Sequence, residues 1–201
     1  MREKGGKVGR SWADFYKGIC CHREILEGNI LVHAPLITEV ARCLQPGGRV
    51  LEVGSGTGVL GWPLAQGGVS VVSLDNDSGV LELCELNAAF LGADIEYVLG
   101  DAFNIPYSDG EFDVAFSGGL LEHFPDTEIH KLVNEQLRVA KAVVSMVPLK
   151  GAGGDAFGNE RWLTREEWQH IFDPYDVVAE VLYEHNNYWL CTAINGRVKV
   201  G

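Results

Sequence analysis

From Arg49 the chain reads Arg-Val-Leu-Glu-Val and then Gly-Ser-Gly-Thr-Gly, ending at Gly58. An apolar strand runs without a break into three glycines at alternate positions, with an acid, Glu52, just before them. Glycine turns sharply through positive φ and lets the backbone approach a ligand, because it carries no Cβ. The pattern predicts a strand over Arg49–Val53, a tight turn, and a helix whose N-terminus near Val59 presents unpaired N–H groups. A strand that opens a crossover of this kind belongs to a βαβ unit. Its parallel sheet must be covered on both faces.

The rest of the chain continues the alternation. Short β-branched or apolar runs at Val69–Leu74, Ile95–Leu99, Phe112–Phe116 and Ala142–Val147 read as further buried strands. Helical periodicity lies between them and at the flanks. Ala34–Leu44 puts Leu36, Ile37, Val40 and Leu44 on one face, with Pro35 suited to a first turn. Asp77–Leu91 and Asp126–Val139 carry similar stripes, and Thr164-x-x-Glu167 is a capping box opening a helix to Phe172. Val177–Tyr183 and Tyr188–Ile194, joined by Glu184-His185-Asn186-Asn187, read as an antiparallel hairpin. The expectation is a Rossmann-like α/β fold: a seven-stranded, mostly parallel sheet, helices on both faces and a C-terminal antiparallel hairpin. One domain is expected over 1–201, with a helical cap or lid over 1–45, a core over 46–201 and a glycine-rich substrate loop over 148–163.

Composition narrows the partners. The 201 residues carry a formal net charge of −12, with only 16 Lys and Arg. Phosphate contacts dominate nucleic-acid affinity and call for a basic surface, so nucleic acid and anionic membranes are not expected as partners. The densest basic stretch, Arg2 to Arg10, is glycine-rich and reads as a solvated tail. No run approaches the ~20 apolar residues of a membrane span and no signal peptide is visible, so the expected location is cytoplasmic. Five cysteines, an odd number without a C-x-x-C, read as reduced small hydrophobes. Cys20-Cys21-His22 has poor ligand spacing, so no metal is expected.

Two acids extend the glycine signal. Asp75 ends the second predicted strand about 20 residues on, where a carboxylate accepts the two hydroxyls of a ribose. Asp101 follows the third strand, in Gly100-Asp101-Ala102-Phe103. A carboxylate there suits an adenine amino group, the Ala102 backbone suits the ring edge, and Phe103 suits the ring face. Val50–Gly58, Leu74–Asp77 and Gly100–Phe124 together resemble the class I S-adenosylmethionine-dependent methyltransferase family, within it the small-molecule enzymes of the quinone-biosynthesis type.

That resemblance implies S-adenosylmethionine as cofactor, with S-adenosylhomocysteine as product, and direct in-line displacement onto a small-molecule methyl acceptor by a monomer or homodimer. It implies that Gly54, Ser55, Gly56, Thr57 and Gly58 pass under the methionine part, with Glu52 holding nearby backbone or the amino end. Asp75 would take the ribose, with Asn76 beside the adenine. Asp101, Ala102 and Phe103 would meet the adenine. Ser117, Gly118 and Gly119 would line the end of the fourth strand near the methyl. Tyr16 would close over the cofactor carboxylate, and His123, in Leu-Glu-His-Phe, is the candidate general base. Trp12, Phe15, Phe157 and Trp162 lie on segments expected to cover the acceptor.

Two other readings stand beside it: a nucleoside-binding module without activity, and an NAD-dependent oxidoreductase. Gly56-Thr-Gly58-Val-Leu-Gly61 does match G-x-G-x-x-G, but that frame starts two residues late after the strand. An aminopropyl transferase shares the fold but calls for an N-terminal β-domain, of which there is no sign.

Overall fold

The computed structural model describes residues 11–152 and 159–194. The basic tail and Phe157 lie outside the described residues. Three helices come first: α1 (Trp12–Tyr16), α2 (Arg23–Val32) and α3 (Ala34–Arg42). A capping box not anticipated from sequence starts α1. The Ser11 hydroxyl accepts from the Asp14 N–H, and the Asp14 carboxylate accepts from the Ser11 N–H. The chain continues through β1 (Arg49–Val53), α4 (Trp62–Gln66), β2 (Ser70–Asp75), α5 (Ser78–Leu91), β3 (Glu96–Leu99), β4 (Phe112–Gly118) and α6 (Asp126–Val139). It ends with β5 (Ala140–Pro148), α7 (Arg165–Phe172), β6 (Asp176–Tyr183) and β7 (Tyr188–Ile194).

The seven strands form one sheet in the order β3-β2-β1-β4-β5-β7-β6. β1 pairs in parallel with β2 on one side and β4 on the other, while β7 is antiparallel to both β5 and β6. The hairpin turn falls at Glu184–Asn187 as expected, with Glu184, His185 and Asn186 all at positive φ. The two faces of the sheet alternate along each strand. Leu51, Val53 and Val143 pack against α6 and α7, through Leu132, Trp168 and Phe172. Val50, Val114 and Val144 pack against α3 and α4, through Leu36, Val40 and Leu64. Both clusters are fully apolar, which is what holds a parallel sheet between helical layers.

One helix departs from expectation. The N-terminus predicted near Val59 lies three residues further on: Gly58 N–H donates to the Ser55 carbonyl in a tight turn, and α4 begins only at Trp62. It is a five-residue helix, because Gly61 precedes it, Pro63 sits in its first turn and Gly67 ends it. The unpaired amides next to the glycines are therefore those of the turn, not of a long helix. The strand order reverses at β1, so the carboxyl ends of β1, β2 and β4 frame the crevice where open α/β sheets bind ligands.

Candidate functional site

The glycine turn is built around positive φ. Gly54, Gly56 and Gly58 have φ of 81°, 54° and 70°. A Cβ on Gly58 would stand 2.7 Å from Cys84 Cβ, so α5 itself requires glycine there. Gly56 is different: a Cβ there would meet only the Tyr16 hydroxyl, at 3.2 Å. The chain thus brings a bare backbone against an aromatic side chain of the N-terminal cap.

Asp75 holds the turn from the end of β2. Its Oδ2 accepts from the Ser55 N–H at 3.0 Å and its Oδ1 from the Asp77 N–H at 2.9 Å. Each oxygen keeps a second lone-pair direction. The Asp75 carbonyl also accepts from Gly100 N–H, which ties the Asp101 turn to the same strand end. Asn76 beside it is exposed. The exposed Asp101 carboxylate accepts from the Phe103 N–H at 2.9 Å, with half-buried Ala102 between them. Phe103 itself turns onto the core, edge-to-face with Phe124 at 5.5 Å. Its ring is half-buried there.

Three other candidate residues have contacts within the protein that the sequence did not show. Glu52 is 1 % exposed and holds no backbone. Its Oε2 accepts from the Ser73 hydroxyl at 2.8 Å, and Ser73 Oγ lies 2.8 Å from Ser55 Oγ, a polar chain beneath the turn. Thr57 is a tether: its hydroxyl accepts from Asn29 Nδ2 and its carbonyl from Asn87 Nδ2. Ser117 is fully buried and its Oγ has no partner, because its side of β4 faces the helical layer. Gly118 is walled by Leu60, Met146 and Leu36, whereas Gly119, at φ 72°, is open except for Glu122.

Sequence reasoning passed over two residues. Asn87 stands among the buried positions of α5 and joins Cys21 N–H to Thr57 O, so the cap and the glycine turn share one amide. A polar residue inside that apolar stripe was the available signal. Glu122 lies in the 3-10 turn Leu121–His123 after β4 and is 3 % exposed. Its carboxyl is pushed up to about 8 by burial. His123 is half-buried, with Nδ1 unpartnered and its ring 5.1 Å from Trp12, edge-to-face. Burial lowers its pKa. It lines a cavity of about 440 Å³ with Phe124, Asp126, Asn159 and Arg161. The Arg161 guanidinium bonds the Phe124 carbonyl and Asp126, and its N–H donates to the Glu122 carbonyl. These bonds pin the far end of the 148–163 loop to the His123 turn.

The buried acids have a consequence for stability. Burial raises Glu52 from 4.5 to about 8. The folded chain then keeps a proton that the unfolded chain gives up above about 4.5. The stabilisation is complete in acid and is lost as pH rises through about 8, with a slope approaching about 1.4 kcal/mol per pH unit. Glu122 acts in the same direction. Urea unfolding should give a lower stability at pH 7.5 than at pH 5.5, and Glu52→Gln should reduce the difference. An unchanged difference in that variant would show that Glu52 is charged in the folded state.

Among the described residues no group of three or more His, Cys, Asp and Glu could hold a metal ion, and no helix is long and apolar enough to cross a membrane. A methyltransferase-domain family model matches residues 50–142, which contain the glycine turn, Asp75, Asp101 and Glu122. A demethylmenaquinone methyltransferase of Renibacterium salmoninarum is 39 % identical over 97 residues, covering 48 % of this chain and 38 % of that protein. A ubiquinone biosynthesis O-methyltransferase of Brucella anthropi is 28 % identical over 140 residues, covering 65 % and 56 %. The chain therefore spans from about two-fifths to somewhat over half the length of these relatives. In fold it is similar to the magnesium protoporphyrin IX methyltransferase of Synechocystis PCC 6803 with bound S-adenosylmethionine. That match has a TM-score of 0.64 at 15 % identity, covering 94 % of this chain and 86 % of that one. In its sheet order, its glycine turn and these likenesses, the chain is similar to class I S-adenosylmethionine-dependent methyltransferases.

Proposed function

We propose that this chain binds S-adenosylmethionine and catalyses transfer of its methyl group to a small organic acceptor. The observation that carries the reading is the junction of Asp75 with the glycine turn, a carboxylate that holds the turn through the Ser55 N–H beside positive-φ backbone faced by Tyr16. In this reading Asp75 takes the ribose hydroxyls, and the Asp101–Ala102 turn meets the adenine without help from Phe103. Gly54–Gly58 and Gly119 carry the methionine part, and Tyr16 closes over it from the cap. Bound there, the cofactor supplies a methyl group already activated on a sulfonium.

The protein's part is then to align an acceptor and exclude water, which suffices for about 7–11 kcal/mol of the barrier. Trp12, Tyr16 and His123 form the aromatic wall on the β4 side, with Trp12 stacked on Tyr16 at 6.0 Å. His123 enters with a lowered pKa, so it is neutral near pH 7 and able to accept a proton from an acceptor that must lose one. The two quinone-pathway relatives favour a flat ring carrying a hydroxyl or an activated carbon as the acceptor class.

The test is thermal unfolding with S-adenosylmethionine, S-adenosylhomocysteine and NAD at equal concentration. A ligand at 100 times its Kd adds about 2.7 kcal/mol, and each kcal/mol moves a chain of this size by about 2–4 °C. A rise of several degrees with the first two and none with NAD is expected. A rise with NAD alone would refute the reading. Labelled-methyl transfer to a panel of phenols, quinols and amines then separates an enzyme from a silent binding module.

A further inference from the structure

The site contains four buried or half-buried carboxyls, Glu52, Asp75, Asp77 and Glu122, and they are not equivalent; Asp77 caps α5 by accepting from the Gly79 N–H. Glu52 has the Ser73 hydroxyl, and Asp75 has two backbone N–H groups. Glu122 is the exception: it is 3 % exposed and its Oε2 has no hydrogen-bond partner. A buried carboxyl oxygen without a partner is costly, and perturbed acids cluster at functional sites.

What surrounds it is unusually free of positive charge. Tyr16 from α1 and Tyr188 from β7 both feel its field, as does Glu160 from the returning loop; His123 follows it in its own turn. The nearest cation along the chain, Arg161, directs its guanidinium to the Phe124 carbonyl and Asp126. The other Glu122 oxygen would stand 3.4 Å from a Cβ on Gly119, so the carboxyl lies over the open end of β4. Asp75 is at the end of β2, on the opposite side of β1, and Tyr16 feels both acids. A ligand held at Asp75 and passing under Tyr16 across the glycine turn arrives at Glu122.

We propose that Glu122 is the counter-charge for the sulfonium of the cofactor, and that it makes the site hold the charged cofactor and release the neutral product. The proposal rests on the cofactor reading above. It follows from a simple difference: S-adenosylmethionine and S-adenosylhomocysteine share their amino, carboxyl and ribose groups, and differ in one methyl and one positive charge. A carboxyl with no cation of its own is the group able to read that charge. The sign follows from its pKa of about 8. Below that value the carboxyl is neutral and reads nothing, and above it the carboxylate favours the sulfonium.

The test is isothermal titration of the whole chain with S-adenosylmethionine and with S-adenosylhomocysteine between pH 6 and pH 9. A one-unit coupling between sulfonium and carboxyl corresponds to a tenfold change in affinity. The wild-type preference for the charged ligand is expected to rise about tenfold across that range. Glu122→Gln should bind S-adenosylhomocysteine within about twofold of wild type and show a flat preference, which separates Glu122 from Glu52 and Asp75. Glu122→Asp, which keeps the charge, should retain the rise, and it serves if the glutamine variant does not fold. Equal pH dependence of the two ligands in wild type, or a wild-type rise in Glu122→Gln, would overturn the proposal while leaving the cofactor reading intact. Failure of both ligands to bind the wild-type chain would overturn the two together.

Discussion

Asp75→Ala is expected to weaken binding of S-adenosylhomocysteine by at least about 100-fold. In the cofactor reading the carboxylate accepts two ribose hydroxyls, and a hydrogen bond to a charged group contributes about 1.5–3 kcal/mol. Two such bonds exceed the ~2.7 kcal/mol that corresponds to two factors of ten in affinity. The same substitution also frees Ser55 N–H and Asp77 N–H, so the glycine turn loses the anchor that fixes its shape. Asp75→Asn keeps one acceptor oxygen and should fall between, near tenfold. Asp101→Ala should weaken binding less than either, because its carboxylate is exposed and accepts from the local Phe103 N–H. Titration calorimetry decides: an Asp75→Ala affinity within threefold of wild type would remove Asp75 from the ribose. The folded fraction should be checked in parallel by urea unfolding. Ser55 and Asp77 are buried, so each freed amide should cost about 1–3 kcal/mol of stability.

How far the chain could be read without its structure depends on what each residue's role required. Strand positions followed from runs of β-branched residues, because a parallel strand buried on both faces has no polar option. β1 therefore fell at the expected bounds, while β4 extends to Gly118 and β5 runs over Ala140–Pro148. The glycine turn was legible because positive φ at alternate positions excludes most side chains. What followed it was not. Gly61, Pro63 and Gly67 shorten α4, yet a glycine or a proline near a helix start is compatible with a longer helix as well. The roles of single polar residues were the least accessible. Glu122 and Glu52 are both acids beside apolar residues, and only the fold decides that one meets Ser73 and the other leaves its Oε2 without a partner. The orientations of Phe103 and Ser117 were illegible for the same reason, since which way a side chain points at a strand end depends on packing from other elements.

The far wall of the site makes the second large prediction, at Trp168. This side chain is fully buried in the cluster that joins α6 and α7 to the sheet, alongside Phe172 and Trp189. Trp168→Ala is expected to lower stability by about 3–5 kcal/mol, through lost transfer energy and the cavity left behind. For a chain of this length that is a fall of roughly 10 °C in melting temperature. Trp168→Phe should cost much less, because the indole N–H has no hydrogen-bond partner and phenylalanine removes that buried donor along with part of the volume. The effect should also reach the site. The helix that Trp168 anchors begins at the Thr164 cap, and just before it Leu163 bridges Leu149 while the Arg161 N–H holds the Glu122 carbonyl. Loosening α7 releases the strand of chain that fixes the Glu122–His123 turn from outside. Hydrogen exchange of Trp168→Ala below its melting point should therefore show faster exchange at Arg161 and across Leu121–Phe124, with the β1–β2 pairing kept protected. Equal loss of protection over the whole sheet would mean that α7 supports the fold as one unit and does not act selectively on the turn. Protection retained at Arg161 would mean that the loop is held by its own bonds to Phe124 and Asp126, independent of the helix.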